Sequence, residues 1–404
     1  MKWSVKWVLL LMCVILIMLT TGCWNRKELN ELGIVLAMGI DTVDHQYEVT
    51  VQLIDPSQMS RNRTADRSPT LIFSERASTI FEAVRKLTTK ASRKMYFSHM
   101  RLLFFDESTA KKGIKEPLDF LFRDHEVRPD FYITVAKDIK AKDVLGFVTP
   151  TEVLPALDMY KSLKVSEKVW APTVAVNVSD LLQKFTKDGI EPVLTGLILI
   201  GDIEKGKTLE NVKQPTSNAE FKYTGIGVFR DDRLIGWMNE SDSRAFNYIT
   251  NNISSTVGKV KCPHSEGEFV IEVTRSKVKI HPTLNKEGEP LVKLETFVEA
   301  NIGEVQCPVN LTNESSLLEL EQAASERLEE ILVNGIQHVQ KEFGVDVFGF
   351  GEAFHRKYPN KWHKWKDGWN DKFKNLTVEI KMNYHIRKIG KSISPIDIKS
   401  KEEE

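Results

Sequence analysis

Phe269-Val270-Ile271-Glu272-Val273-Thr274-Arg275-Ser276-Lys277-Val278-Lys279-Ile280 alternates apolar and polar side chains over most of its length. That period of two marks a half-buried strand. Residues 291–302 do likewise, after the turn-like Asn285-Lys286-Glu287-Gly288-Glu289-Pro290. Two such runs around a short turn predict a hairpin. Residues 315–342 then read as one long helix. Leu317, Leu320, Ala324, Leu328, Ile331, Leu332 and Val339 share its buried stripe, and Asn334-Gly335 interrupts it as an expected kink. Residues 376–386 alternate again and return to the sheet. Strand, strand, long helix, strand predicts an α+β layer: a twisted antiparallel sheet with one long helix across a face.

Working towards the N-terminus, residues 33–41 and 47–53 read as a hairpin, and the polar stretch 57–68 as an exposed loop. Residues 78–91 form a helical pattern with Ile80, Val84, Leu87 and Ala91 on one face. A strand over 100–105, a helix over 114–122 and a strand over 131–136 follow, an alternation that indicates a mixed α/β unit. Thr149-Pro150 opens another section. It holds a helix over 153–162, a strand over 193–200, a polar loop over 202–220, a hairpin from 224–229 and 234–238, and a helix over 241–252. The expected organisation is three mixed α/β domains: 23–148, 149–262 and 263–404, the last carrying the helix 315–342.

The first 22 residues have another purpose. Lys2 and Lys6 give a basic start, and residues 8–19 are an unbroken apolar run of about a dozen, short of the roughly 20 needed to span a bilayer. Leu19-Thr20-Thr21-Gly22-Cys23 follows. This is the layout of a cleaved signal peptide. The 404-residue chain carries 56 basic and 56 acidic residues, a balance that argues against nucleic acid as a partner held by bulk charge. Of four cysteines, Cys13 lies in the signal and Cys23 at its end. Cys262 and Cys307 flank the strands 268–281 and 291–305, whose hairpin brings its outer ends together. An exported compartment permits a disulfide there, and two independent buried thiols are the alternative.

Motifs for chemistry are absent from the sequence. Gly349-Phe350-Gly351 lacks the third glycine and preceding strand of a dinucleotide site and reads as a turn. No Gly-x-Ser-x-Gly elbow occurs, and the histidines are scattered, with His355 and His363 eight apart rather than at a helical zinc spacing. No metal ligands, cofactor site or catalytic set can be named. Glu352 and His355 are the first candidates if a hydrolase is considered. The most unusual stretch is 354–373, where Trp362, Trp365, Trp369 and Phe373 recur at helical spacing among lysines. Such a basic aromatic helix suits a membrane interface or a partner interface; alternatively the aromatic stripe packs on the core. This stretch and 28–41 are the first candidates for contact with other subunits.

Three stretches together resemble the Ger(x)C family, the C-subunit lipoproteins of spore germinant receptors. The first is Gly22-Cys23-Trp24-Asn25-Arg26-Lys27-Glu28-Leu29-Asn30-Glu31-Leu32 with Gly39-Ile40-Asp41. The second is Tyr223-Thr224-Gly225-Ile226-Gly227-Val228-Phe229, running through Leu234-Ile235-Gly236-Trp237 to Glu240 and Arg244. The third is Phe348-Gly349-Phe350-Gly351-Glu352-Ala353-Phe354-His355-Arg356-Lys357-Tyr358-Pro359. Leu-x-x-Gly-Cys is similar to the lipobox of bacterial lipoproteins. The resemblance implies cleavage between Gly22 and Cys23, and lipidation of Cys23 with acyl chains such as palmitate. It further implies a non-catalytic subunit on the outer face of the spore inner membrane, alongside a multi-span A subunit and a transporter-like B subunit, in nutrient-triggered germination. The alternative is a solute-binding lipoprotein feeding a transporter, which needs two lobes around a crevice.

Overall fold

The computed structural model describes residues 5–7, 10–12, 32–55, 68–124, 126–170 and 172–388. Gly22, Cys23 and most of the loop expected over 57–68 therefore lie outside the described residues. Among the described residues, no helix is long and apolar enough to cross a membrane.

Two sheets carry the fold. The first begins with a hairpin, β1 (Leu32–Val43) and β2 (Gln46–Ile54), extended by β3 (Thr70–Ala77). After α1 (Ile80–Leu87), a short β4 (Lys94–Tyr96) pairs with the start of β1, and β5 (Leu102–Asp106) pairs in parallel with its later half. Helices α2 (Glu107–Lys112) and α3 (Lys115–Arg123) lead to β6 (Tyr132–Ala136). Then α4 (Ala141–Leu145), α5 (Pro155–Val169) and α6 (Val178–Thr186) lead to β7 (Val193–Gly201). Helical crossovers return the chain to the same end of a sheet, so β1, β5, β6 and β7 run parallel. A short α7 (Ile203–Gly206) falls in the expected polar loop, before the meander of β8 (Ala219–Arg230) and β9 (Arg233–Met238) closes the sheet in the order β3-β2-β1-β5-β6-β7-β8-β9.

The centre of this sheet is covered on both faces. All five residues of β5 are buried. Leu103 and Phe105 pack on the side of α1 and α3, while Leu102 and Phe104 pack on the side of α4 and α5. A continuous apolar run is what a strand covered on both faces requires. Strands from both sides of residue 148 belong to this one sheet.

After α8 (Glu240–Ile249), the second sheet contains β10 (Thr256–Lys261), β11 (Glu268–Leu284), β12 (Pro290–Val305) and β13 (Thr377–Lys388). The alternation in β11 and β12 turns Phe269, Ile271, Val273, Val292, Leu294 and Val298 into the core. Cys262 and Cys307 are joined by a disulfide at the outer ends of that hairpin, with Cα atoms 6.0 Å apart. The long helix α9 (Glu314–His338) crosses the sheet and ends in a π turn over Val339–Phe343, stopped by Gly344 at φ 61°. One expectation is corrected here: β13 runs parallel to β12, not antiparallel. The long helical connection carries the chain back to the end where β12 began, so β13 starts alongside Leu291 and runs the same way. A second correction concerns Asn334-Gly335, which lies inside unbroken helix. A Cβ at Gly335 would stand 2.5 Å from the Ala245 Cβ, so glycine serves a close crossing of α9 over α8 rather than a kink.

The aromatic stretch also differs from a single surface helix. It is divided into α10 (Phe350–Lys357), α11 (Pro359–Trp365), with proline in its first turn, and α12 (Trp369–Lys374). Trp362, Trp365 and Trp369 are 1%, 9% and 3% exposed, so these side chains pack inward rather than standing on an open surface. Burying three indoles recovers far more apolar area than a rim contact would, and the stripe packs into the core that spans both sheets. The described part of 28–41 is buried in β1 as well, apart from the half-buried Ile34.

Candidate functional site

In the first stretch, Asp41 near the end of β1 is fully buried and accepts hydrogen bonds from the backbone N–H groups of Ala141 and Lys142, at 2.8 and 2.9 Å. It thereby satisfies the open N-terminus of α4 from a distant strand. Burial, with the nearby Asp106 charge, pushes its carboxyl up to about 6. Gly39 lets the same helix approach, since a Cβ there would meet Ala141 and Leu145 at 3.0 Å. Asp106 caps α2 through Thr109 N and pairs with Lys140. Burial opposes its charge, but the Lys140, Thr109 and Ser108 hydrogen bonds hold its carboxyl below the usual range.

In the second stretch, the ring of Trp237 lies against Gly196, where a Cβ would stand 2.7 Å from it, and near Gly227, where a Cβ would stand 3.1 Å from it and 2.8 Å from Leu234. Its indole N–H donates to Glu107 Oε1 at 3.3 Å, and Lys137 Nζ sits 5.0 Å from its ring centroid. Gly225 adopts φ 55°, a left-handed position that favours glycine.

The third stretch turns around Asp346. This carboxylate is 1% exposed. Its Oδ1 accepts from the N–H groups of Phe348, Gly349 and Phe350 at 3.0, 2.9 and 3.3 Å. Its Oδ2 accepts from Gly351 N at 2.7 Å and Trp369 Nε1 at 3.0 Å. Burial pushes it up to about 6 against the pull of these bonds. The turn is zipped to the segment before β7: Glu191 N donates to Asp346 O at 2.7 Å, and Glu352 N to Gly189 O at 3.1 Å. A Cβ at Gly351 would lie 2.7 Å from Gly189 Cα, so two backbones touch there. Glu191 accepts from Asp231 N at 2.8 Å, and burial with the Asp231 charge carries it up to about 7. A cleft of about 690 Å³ opens beside this junction, with Lys184, Glu191, Asp231, Asp232 and Trp369 among its walls.

The residues described in the three stretches are thus structural hubs, and the third joins the two sheets. The sequence pointed to Gly349 and Gly351 but not to Asp346, Gly189 or Glu191. The available signal was an Asp followed within five residues by two glycines, the pattern of a side chain closing its own backbone turn. The enzyme candidates do not converge. Glu352 pairs with Lys187 at 3.2 Å, while the His355 ring stacks on Trp362. Among the described residues, no group of three or more His, Cys, Asp and Glu is placed to hold a metal ion.

The chain falls in a class known from spore germination. Residues 25–199 match the family described as "Spore germination protein N-terminal domain", and residues 224–390 match "Spore germination B3/ GerAC like, C-terminal". The chain belongs to this GerAC-like family of spore germination proteins. It is 30% identical to spore germination protein KC of Bacillus subtilis (strain 168), over 96% of each chain. It is 23% identical to spore germination protein B3 of the same organism, over 91% of this chain and 94% of that one. The solved structure titled "Crystal Structure of the GerBC protein" superposes with a TM-score of 0.54 at 18% identity, covering 85% of this chain and 94% of that one, and so shares its fold.

Proposed function

We propose that this chain is the lipid-anchored, non-catalytic C subunit of a nutrient germinant receptor, working with A and B subunits at the outer face of the spore inner membrane. The observation that carries the reading is the 30% identity to spore germination protein KC across 96% of both chains. The N-terminal sequence supports the anchor: a basic start, a short apolar run and Leu19-Thr20-Thr21-Gly22-Cys23. Cleavage falls between Gly22 and Cys23, and Cys23 carries the lipid. Acyl chains contribute roughly 0.8 kcal/mol per buried methylene, so two or more hold the protein stably at the bilayer.

Deleting the gene in a strain without other receptors of this type abolishes germination in response to a particular nutrient while leaving growth unchanged; full germination there overturns the reading. Cys23→Ala, followed by fractionation, tests the anchor separately. The expected result is an uncleaved precursor and loss of lipid labelling. Continued cleavage and membrane retention would exclude lipidation at Cys23.

A further inference from the structure

The last turns of α5 carry apolar side chains into the open. Ala156, Met159 and Leu163, on its inner stripe, are buried against the first sheet. Val165 and Val169, one turn apart on the opposite stripe, are 59% and 56% exposed, and Trp170 just beyond the helix is 46% exposed. The start of β10 adjoins this patch. Ser255 N donates to Lys168 O at 2.9 Å, and Thr256 Oγ1 to Trp170 O at 3.1 Å. The exposed Val257 follows; Arg244 donates to its carbonyl at 3.5 Å while standing 5.4 Å from the Trp170 ring centroid. Single exposed apolar side chains are ordinary, but a cluster of them rimmed by polar groups marks a contact surface.

The rim on α5 is cationic. Lys161, Lys164 and Lys168 flank the two valines. Lys161 pairs with Glu152. Lys164 Nζ lies 5.4 Å from the Tyr160 ring centroid, and Lys168 is exposed. The neighbouring Glu167 is turned to the inner side, where it accepts from Ala175 N at 2.8 Å. On β10 the charges offset one another: Glu240 holds Arg244, and Glu272 stands across from Val257 two residues before Lys259. The patch also lies where the chain enters the fold. Tyr160, a turn before Lys164, stands 5.4 Å from the Tyr132 ring and 5.8 Å from Arg101 Cζ. Arg101 N donates to Leu36 O at 2.7 Å. Thus α5 crosses the sheet beside the first half of β1, the half reached from Cys23 through eight residues.

We propose, resting on the lipid anchor at Cys23, that this patch seats on an anionic phospholipid surface. Val165, Val169 and Trp170 enter the headgroup boundary, where tryptophan is favoured, and Lys164 and Lys168 reach the lipid phosphates on flexible stems. Apolar side chains interleaved with lysines on one helix stripe are the pattern of an interfacial contact. A protein partner fits it less well, because lysine is depleted in the cores of protein interfaces. A tether alone leaves the body free to turn. A second contact of this kind fixes which side of the first sheet faces the bilayer.

The test uses the lipidated chain in vesicles. With Cys23 acylated and Cys262 joined to Cys307, the cysteine introduced by Val169→Cys is the one thiol that takes a polarity-sensitive fluorophore. Ile200→Cys is the control: Ile200 is 50% exposed and lies near the end of β7, at the other end of the parallel strands. On phosphatidylcholine vesicles with one third phosphatidylglycerol, the label at 169 is expected to emit further to the blue than on phosphatidylcholine alone. The label at 200 is expected to emit as in water on both. Lys164→Gln with Lys168→Gln lowers the docked-to-free ratio about thirtyfold, the effect of two cations at roughly 1 kcal/mol each. Chains that fail to float with the vesicles remove the anchor, and this proposal with it. Chains that float with the label at 169 as wet as that at 200, or shielded regardless of phosphatidylglycerol, overturn the proposal and leave the anchor standing. So does shielding that appears only at high chain density or only with A and B subunits present, which assigns the patch to a second copy or to a protein partner.

Discussion

Asp346 receives five hydrogen bonds, four from consecutive backbone N–H groups and one from an indole. A carboxylate can accept them all; an amide cannot, because its NH₂ would face the N–H groups of Gly351 and Trp369. Asp346→Asn is therefore expected to lower stability by about 2–4 kcal/mol, the cost of unpaired buried donors, as read by denaturant unfolding. The same burial gives the fold an unusual acid response. Asp41 and Asp346 are pushed up to about 6, and Glu191 to about 7. Because these folded values lie above the unfolded ones, the folded state binds more protons between pH 4 and 7. The stability they contribute is complete below the unfolded values and is lost as pH rises through 6 to 7. The thermal midpoint should be higher at pH 5 than at pH 7.5, and Glu191→Gln should flatten the upper part of that rise. An unchanged profile in the variant would remove Glu191 from this account. None of these three acids can be picked out by residue type. What sets them apart is long-range burial, which no local window reports.

At the scale of elements, period and turn chemistry made most strands legible. β2, β11 and β12 lie where alternation placed them, and β1, β8 and β9 where hairpins around short polar turns were expected. β3 and β10 escaped, since their apolar contrast is weak: Leu71, Ile72 and Val257 are exposed. The direction of β13 escaped for a different reason, because alternation is the same whichever way a strand runs. Gly335 was read as a helix defect and is a contact. Replacing it by alanine gains about 1 kcal/mol of helix propensity, but the new methyl collides with Ala245. Gly335→Ala should be net destabilising by about 1–3 kcal/mol, as overpacking is. Pairing it with Ala245→Gly should restore most of the loss, since the two positions share one contact.

Over the whole molecule, the proposed anchor lies close in sequence to the first sheet. Eight residues separate Cys23 from β1, which at roughly 3.3–3.6 Å per extended residue reach at most about 30 Å. If Cys23 carries the anchor, the first sheet is confined near the bilayer. A flexible insert of twenty or so glycine and serine residues after Trp24 should weaken nutrient-triggered germination while membrane attachment persists. An unaffected response would separate anchoring from receptor assembly. The junction at Asp346 joins the sheets through paired backbones, Glu191 N to Asp346 O and Glu352 N to Gly189 O.

β1 itself has a mechanical consequence. It is the first strand described after the tether, yet it occupies the interior of the sheet, with β2 on one side and β4 and β5 on the other. If the chain is anchored at Cys23, a pull on it enters the described fold at Leu32, and its component along the strand axis acts on β1. It loads the ladders on both flanks in shear at once, whereas an edge strand would peel away one bond at a time. The yield force of such an attachment is set by the whole width of the ladder, so a load applied there reaches the centre of the sheet before it can strip its rim.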